Sequence, residues 1–245
     1  MYIFGDIGNS ETKVFLVNSK NKIIRNTNFS SKKMNDKVLN QKFRYLVRDF
    51  KSINKILFCS VVPKSFNLIK KFLSKKIKKR CYEIKDLKLR QLINIKVNFK
   101  QVGSDRLTNA ISLLNSKDNF IILDFGTATT FDVVLKNRYK GGIIAPGVNL
   151  SLKTLVEKAK LIPNTKLMKI KNIIGKNTVN AVRSGFYWGY QGLIENIIKI
   201  IENKTKKKFK IVFTGGLSHL YKNAIKKKIT VDKDLTVKGL LRLID

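Results

Sequence analysis

The sequence predicts an α/β protein of mixed β-sheet with flanking helices, and three observations lead there. An acid-tipped, glycine-bent hairpin pattern occurs twice, half a chain apart. Three strand-like stretches open the chain in direct succession, as an antiparallel start to a sheet requires. Beyond them, stretches of helical and strand period alternate, which lays helices onto the sheet. At 245 residues there is room for one large or two modest domains, each able to bury a core.

The first hairpin pattern runs from Ile3 to Leu16 and the second from Ile122 to Val134. Each is an apolar strand ending in Asp (Asp6, Asp124), then an apolar residue and Gly (Gly8, Gly126). Small or polar residues and a Thr follow, then another apolar strand. Glycine at the bend lets the backbone turn tightly and offer its N–H groups to a ligand. Hydroxyl and amide side chains add donors, and an Asp at a strand end can hold a cation. A single Asp-x-Gly between apolar runs is usually only a hairpin turn. Two copies with matched flanks favour a duplicated site, and facing each other they would grip one polyphosphate from both sides.

In order, strands are expected over 2–7, 12–18 and 22–27, with a turn at Asn18-Ser19-Lys20-Asn21. Val38, Leu39, Phe43, Leu46, Val47 and Phe50 recur at helical spacing and predict a helix over 36–50. A short strand, 56–60, leads through Val61-Val62-Pro63 into a helix over 65–74, and further strand material falls near 82–84 and 95–97. Gly103-Ser104-Asp105-Arg106 opens a helix to about 114. These four residues read either as an ordinary N-terminus, where Ser and Asp are favourable, or as an acid and a base meeting a ligand at the helix mouth.

The second copy gives strands 119–124 and 130–135 and a turn at Asn137-Arg138. Gly141-Gly142-Ile143-Ile144-Ala145-Pro146-Gly147 then marks close-packed backbone ahead of a helix from Val148. A helix over 177–201 carries Gly185, Gly189 and Gly192 near one face, at about 1 kcal/mol each relative to alanine, so a partner subunit or neighbouring helix is expected against them. Strand 209–213 ends in Thr214-Gly215-Gly216, where backbone could lie against a flat ligand such as adenine. A helix follows from Leu217, and one last helix closes the tail.

Composition narrows the function classes. Hydrophobic content of 43% makes the chain globular despite its charge. No apolar run approaches the roughly 20 residues of a membrane helix, and the N-terminus enters a strand with no signal-peptide pattern. Cys59 and Cys81 form no framework, which suits a reducing cytoplasm. The net charge of +35 would suit a nucleic-acid binder. The basic residues, however, are mostly Lys and are spread through every segment, which reads as solvated surface whose field attracts anions such as ATP. His219 is the single histidine, so two-histidine metal sites are excluded, and no Ser or Cys nucleophile has a supporting pattern.

With these residues in view, the chain resembles the type III pantothenate kinases, within the acetate and sugar kinase, Hsp70 and actin superfamily. The resemblance is carried by Asp6-Ile7-Gly8-Asn9-Ser10, Ser60-Val61-Val62-Pro63, Gly103-Ser104-Asp105-Arg106, Asp124-Phe125-Gly126-Thr127-Ala128-Thr129-Thr130, Gly141 to Gly147, Ile174-Gly175-Lys176-Asn177-Thr178 and Thr214-Gly215-Gly216. It implies two ribonuclease-H-like domains, 1–116 and 117–245, with the active site between them, and a homodimer. It also implies ATP-dependent phosphorylation of pantothenate, the first step of coenzyme A synthesis, in the cytoplasm. By the same resemblance Asp6, Ile7, Gly8, Asn9, Ser10, Glu11, Thr12, Lys13 and Thr127 contact ATP with its Mg²⁺. Gly103, Ser104, Asp105, Arg106 and Thr178 contact pantothenate, with Asp105 as proton acceptor. Asp124 binds a monovalent cation, potassium or ammonium. Three positions depart from the family pattern: Ser104 for the usual alanine, Lys96 for a substrate-contacting tyrosine, and Phe99 for a proline.

Phosphoryl transfer asks for positioning and charge neutralisation more than covalent help. Asp105, at a helix N-terminus beside Arg106, is expected to stay ionised; a weak base suffices in a loose transition state because the proton leaves late. Arg106 suits the pantothenate carboxylate or amide through its fork of donors. The rival readings are a superfamily kinase with another acceptor, a nucleic-acid-binding or regulatory protein on this fold, and a structural dimer with a decayed site. Every motif acid is present, which argues against decay.

Overall fold

The computed structural model describes residues 1–115 and 117–244. The chain forms two compact units. One holds the residues up to 115, the short run 137–139 and the chain from Asp234 on; the other holds 117–136 and 140–233.

In the first unit, β1 (Tyr2–Ile7), β2 (Glu11–Val17) and β3 (Ile23–Ser30) form an antiparallel meander. Asn18 closes its second turn by accepting from the N–H groups of Lys20 and Lys22 at 3.0 and 2.9 Å. On the other side of β1, β4 (Lys55–Ser60) runs parallel to it and β5 (Cys81–Glu83) runs parallel to β4, giving the order β3-β2-β1-β4-β5. Helices α1 (Asp36–Leu46) and α2 (Pro63–Ser74) turn Leu39, Phe43, Leu46, Ile69, Phe72 and Leu73 into one core with Ile3, Ile7, Val14 and Ile56. Each such side chain fully buried is worth about 1.5–3 kcal/mol.

The helix expected over 36–50 stops at Leu46 because Val47 is extended. Asp49 then caps a separate 3₁₀ turn, Phe50–Ser52, by accepting from the N–H of Lys51. A further 3₁₀ turn, Ile84–Asp86, follows β5. The short strand β6 (Asn94–Ile95) pairs with Arg138 and Tyr139 in the same unit. Then comes α3 (Ser104–Ser112), the helix that opens on the Gly103-to-Arg106 motif.

In the second unit, β7 (Asn119–Phe125) and β8 (Ala128–Leu135) form the second hairpin. Lys136 and Asn137, both left-handed (φ 43° and 62°), turn the chain into β9 (Arg138–Pro146), whose first two residues belong to the first unit. Strand β10 (Lys210–Gly215) lies parallel to β7, and β11 (Ile229–Val231) parallel to β10. The order β9-β8-β7-β10-β11 repeats that of the first sheet strand for strand. Thus the duplication seen in the hairpins extends to both mixed sheets, the arrangement implied for a pair of ribonuclease-H-like folds. Helices α4 (Val148–Lys158), α5 (Thr178–Thr205) and α6 (Ser218–Lys222) flank this sheet over an aromatic core of Phe125, Phe213, Tyr187 and Tyr221.

Strand β9 was not expected, because Gly141, Gly142 and Pro146 mask its pattern; Gly141 is accommodated at φ 105°. Among the described residues, the three glycines of α5 have no neighbour within 4 Å of the position a Cβ would take, so that face is open.

The last helix, α7 (Leu235–Leu241), joins the first unit. A Cβ on Gly239 would stand 2.0 Å from the carbonyl oxygen of Thr108, so only glycine lets α7 lie this close to α3. Thr236 donates to Asn109 at 2.8 Å, and Lys55 donates to the carbonyls of Leu243 and Ile244 at 2.9 and 2.6 Å. The end of the chain therefore braces the helix that carries Asp105.

Candidate active site

The first hairpin bends over four residues. Gly8 N–H donates to the carbonyl of Glu11 at 3.0 Å, just beyond the Ile7–Thr12 pair. Asn9, Ser10 and Glu11 are exposed at its tip, whereas Ile7 and Thr12 are fully buried. The Thr12 hydroxyl meets that of Ser31 at 2.8 Å, and Ser31 donates to the carbonyl of Gly8 at 2.6 Å. Of the residues expected to contact ATP, Thr12 thus spends its hydroxyl inside the hairpin. Glu11 accepts from Asn28 at 2.6 Å and pairs with Lys13 at 3.7 Å.

Asp6 sits half-buried at the end of β1. Burial, and after it the like charge of Asp105, pushes its carboxyl up to about 6, against the pull of Lys13 and a hydrogen bond from Cys59. The fold therefore brings Asp6, Lys13 and Asp105 into one electrostatic neighbourhood within the first unit. The Cys59 thiol donates to Asp6 Oδ1 at 3.5 Å. Burial drives that thiol far up, with Asp6, Asp105 and Glu83 adding to it, so it stays protonated and inert as a nucleophile.

Gly103 precedes α3 with an ordinary φ of −62°, so backbone freedom does not require a glycine there. A Cβ there would meet Asp105 Oδ1 at 2.4 Å. That same oxygen accepts from the N–H of Arg106 at 2.8 Å, folding the carboxylate back over the helix mouth. Ser104 is only 2% exposed. Burial raises the Glu83 carboxyl, and the Ser104 side chain is the first of the groups that pull it back down.

In the second hairpin the turn is one residue shorter: Gly126 N–H donates to the Ala128 carbonyl at 3.0 Å, inside the Phe125–Thr129 pair. Gly126 and Thr127 are exposed. A Cβ on Gly147 would stand 2.1 Å from the carbonyl oxygen of Thr127, so the glycine ending the Gly141-to-Gly147 motif lets this tip rest on the head of α4. Asp124 ends β7 half-buried, beside Gly215 at φ 83°. A Cβ on Gly215 would fall 2.6 Å from Asp124 Oδ1 and 2.7 Å from the Phe125 carbonyl, a space that only glycine keeps open. Among the described residues, no three His, Cys, Asp or Glu side chains gather into a metal cluster. Thr178 is exposed at the first turn of α5, behind the Asn177 cap.

A family model for type III pantothenate kinase matches residues 2–200. A type III pantothenate kinase of Pelagibacter ubique (strain HTCC1062) is 60% identical, over 99% of this chain and 98% of its own. The chain belongs to the type III pantothenate kinases. A second kinase of that name, from Sulfurihydrogenibium sp. (strain YO3AOP1), is 36% identical over 98% of both chains. Among solved structures, a conserved Baf family protein from Campylobacter jejuni overlays with a TM-score of 0.65, at 19% identity over 99% of this chain and 96% of that one. The activator of 2-hydroxyisocaproyl-CoA dehydratase from Clostridium difficile, solved with bound ADPNP, overlays at 0.54 and 11% identity over 98% and 91%. At these identities the likeness is one of fold.

Two of the kinase's departures from the family pattern have plain surroundings. Lys96 is exposed, and the Lys85 and Arg90 cations each lie 5.7 Å from the centre of the Phe99 ring. His219 is exposed on α6, away from any cluster. Two residues of this kinase's site escape sequence reading: Cys59 behind Asp6, and Glu83 behind Ser104. The signal for Glu83 is an acid at a strand end with Asp86 three places on. The two cap one turn reciprocally, but such a pattern by itself does not point to α3.

Proposed function

We propose that the kinase transfers the γ-phosphoryl group of ATP to the primary hydroxyl of pantothenate, opening coenzyme A synthesis in the cytoplasm. Family membership along nearly the whole chain carries this reading, with each motif acid standing at the end of its strand or the start of its helix. Asp105 takes the hydroxyl proton as oxygen attacks the γ-phosphorus, and the Arg106 guanidinium binds the pantothenate carboxylate or amide. The N–H groups of the first hairpin, with Lys13, hold phosphate oxygens, and Thr127 contacts the same nucleotide. Thr178 and the Gly103–Ser104 backbone complete the acceptor pocket.

The chemistry of the donor set fits Mg²⁺ at Asp6, where a cation offsets the burial, and after it the like charge of Asp105, that raise this group. When bound with ATP, Mg²⁺ neutralises charge on the transferring phosphoryl group. Asp124, with neutral oxygens around the Gly215 gap, suits a monovalent cation such as potassium or ammonium. For the functional domains we place the division at 116/117, with α7 returned to the N-terminal one.

A homodimer accounts for the open glycine face of α5 and for the exposed Ile143, Ile144 and Leu150 on the same unit. Among the described residues no helix is long and apolar enough to cross a membrane. The net charge of +35 serves to draw in anionic ATP rather than nucleic acid.

A coupled assay with ATP, Mg²⁺ and potassium tests the reading, because ADP release should depend on pantothenate. Asp105→Asn should keep ATP binding while turnover falls by about two to four orders of magnitude. Near-normal turnover in that variant removes Asp105 from its role, and ADP release with an unrelated acceptor alone removes pantothenate.

A further inference from the structure

Helix α3 carries Asp105 but does little to hold its own start. It has 9 residues, its N-cap is Gly103, and no side chain caps the first turn. A helix this short is marginal by itself and takes its place from what packs on it.

The element that packs on α3 comes from the far end of the chain. Helix α7 touches α3, β1 and β4, all within the first unit. It therefore lies against both the helix that bears Asp105 and the strand that bears Asp6. Thr236 donates to the side-chain oxygen of Asn109 at 2.8 Å. Asn109 is fully buried, one turn beyond Asp105 on the same face of α3. At Gly239 the backbone of α7 comes so near Thr108 that a Cβ would stand 2.0 Å from its carbonyl oxygen and 2.7 Å from its methyl. Thr108 in turn donates its hydroxyl to the carbonyl of Ser104 at 2.8 Å, one residue before Asp105. Just past α7, Lys55 at the head of β4 holds the carbonyls of Leu243 and Ile244. Strand β4 pairs with β1 so that Cys59 stands opposite Asp6. The frame that fixes α7 is thus the frame that fixes Asp6.

We infer that Thr236 and Gly239 are positioning residues for the phosphoryl transfer: α7 sets the place of α3 against the sheet, and with it the distance of Asp105 from the first hairpin. Thr236 fixes α3 through Asn109, and Gly239 fixes how closely the two helices lie. Ordinary contact begins at 3.4 Å, so a methyl at position 239 must push the helices apart by about 1 Å or more. A misplacement of about that size at a reacting group can cost on the order of a hundredfold in rate.

This inference rests on Asp105 being the proton acceptor, and the test separates the two. Thr236→Val, Thr236→Ser and Gly239→Ala are compared with the parent for kcat, for KM of ATP and for Tm, at a temperature well below every Tm. Phe72→Leu serves as a control for stability alone, since its ring packs on Phe43 of α1 at 5.4 Å. Thr236→Val should lower kcat about tenfold, with KM for ATP close to the parent's. Thr236→Ser, which keeps the hydroxyl, should regain most of that loss. Gly239→Ala should lower kcat by about a hundredfold. Phe72→Leu should lower Tm with kcat unchanged. In an Asp105→Asn background, Thr236→Val should cost nothing further, because it acts through Asp105.

A parental kcat in Thr236→Val, a Thr236→Ser as slow as Thr236→Val, or losses that multiply in the Asp105→Asn background overturns the inference. So does a kcat that falls with Tm in Phe72→Leu as steeply as in Thr236→Val. If Gly239→Ala does not fold, the Thr236 pair decides alone. Near-normal turnover in Asp105→Asn would strike the base assignment itself. Lost turnover there, beside a parental Thr236→Val, would strike only the positioning role of α7.

Discussion

The two hairpins share one sequence plan and one place in their sheets, yet their acids have different neighbours. The register makes the comparison residue by residue. In the first, β1 pairs with β4 so that Gly5 faces Phe58, Asp6 faces Cys59 and Ile7 faces Ser60. In the second, β7 pairs with β10 so that Leu123 faces Phe213, Asp124 faces Thr214 and Phe125 faces Gly215. Both times a phenylalanine of the neighbouring strand lies opposite the residue before the acid. The bulk is accommodated on opposite sides: a glycine yields to Phe58 in the first hairpin, and a leucine packs with Phe213 in the second. Beyond the acids, the first hairpin has a buried thiol 3.5 Å from the carboxylate, and the second has a bare glycine backbone. Duplication kept the strand order and the acid; the residues on the adjacent strand then gave each acid its own surroundings.

The largest effect should come from breaking the asymmetry at Gly5. A Cβ there would lie 1.9 and 2.1 Å from Phe58 ring atoms, and Phe58 is fully buried. Gly5→Ala should cost about 3 kcal/mol or more, the upper range for overpacking a core. Denaturant unfolding measures it. Truncating the ring as well, in Gly5→Ala/Phe58→Leu, should return part of the loss; if it returns none, the ring is not what excludes the methyl.

Asp124→Asn should have a smaller and more selective effect. The variant should keep its Tm but lose much of its activation by potassium, by about tenfold at saturating salt, because an amide is neutral where a carboxylate binds the cation. Unchanged salt activation would mean that the gap at Gly215 serves only to let Phe125 and Gly216 meet, as their 3.2 Å hydrogen bond already does.

These differences show why the sequence was readable where it was. The hairpins, the alternation of strand and helix and the glycine motifs are local patterns, each carried by residues within about ten positions. So the mixed sheets, the places of Asp6 and Asp124 on them, and that of Asp105 at the start of α3 were legible. Thr12 was legible as part of a motif, but not as a residue turned inward onto Ser31, because the bond spans a whole strand. Cys59 comes from the adjacent strand and meets Asp6 only through parallel pairing, which leaves no trace in spacing. The return of the last helix to α3 depends on Gly239, a glycine that in sequence reads as a mere helix weakness.

The finest test of the contrast concerns the ionisation of Asp6. Its carboxyl is raised from 3.8 to about 6 in the folded protein, chiefly by burial and then by Asp105. At pH values below about 4 the group is protonated whether the chain is folded or not, and it adds no pH-dependent cost. As pH climbs from 4 towards 6 the unfolded chain gives up this proton while the folded one keeps it, so stability falls. Above about 6 both forms are ionised and the penalty is complete and constant. Asp6→Asn cannot ionise and escapes it. The variant should therefore melt higher than the parent at pH 7 to 8, and the gap should narrow steadily down to pH 4. Paired thermal melts across that range, without nucleotide or divalent cation, measure the gap. A constant gap would mean that the thiol of Cys59 and the charge of Lys13 hold Asp6 ionised after all. The first hairpin would then lose the feature that most separates it from the second.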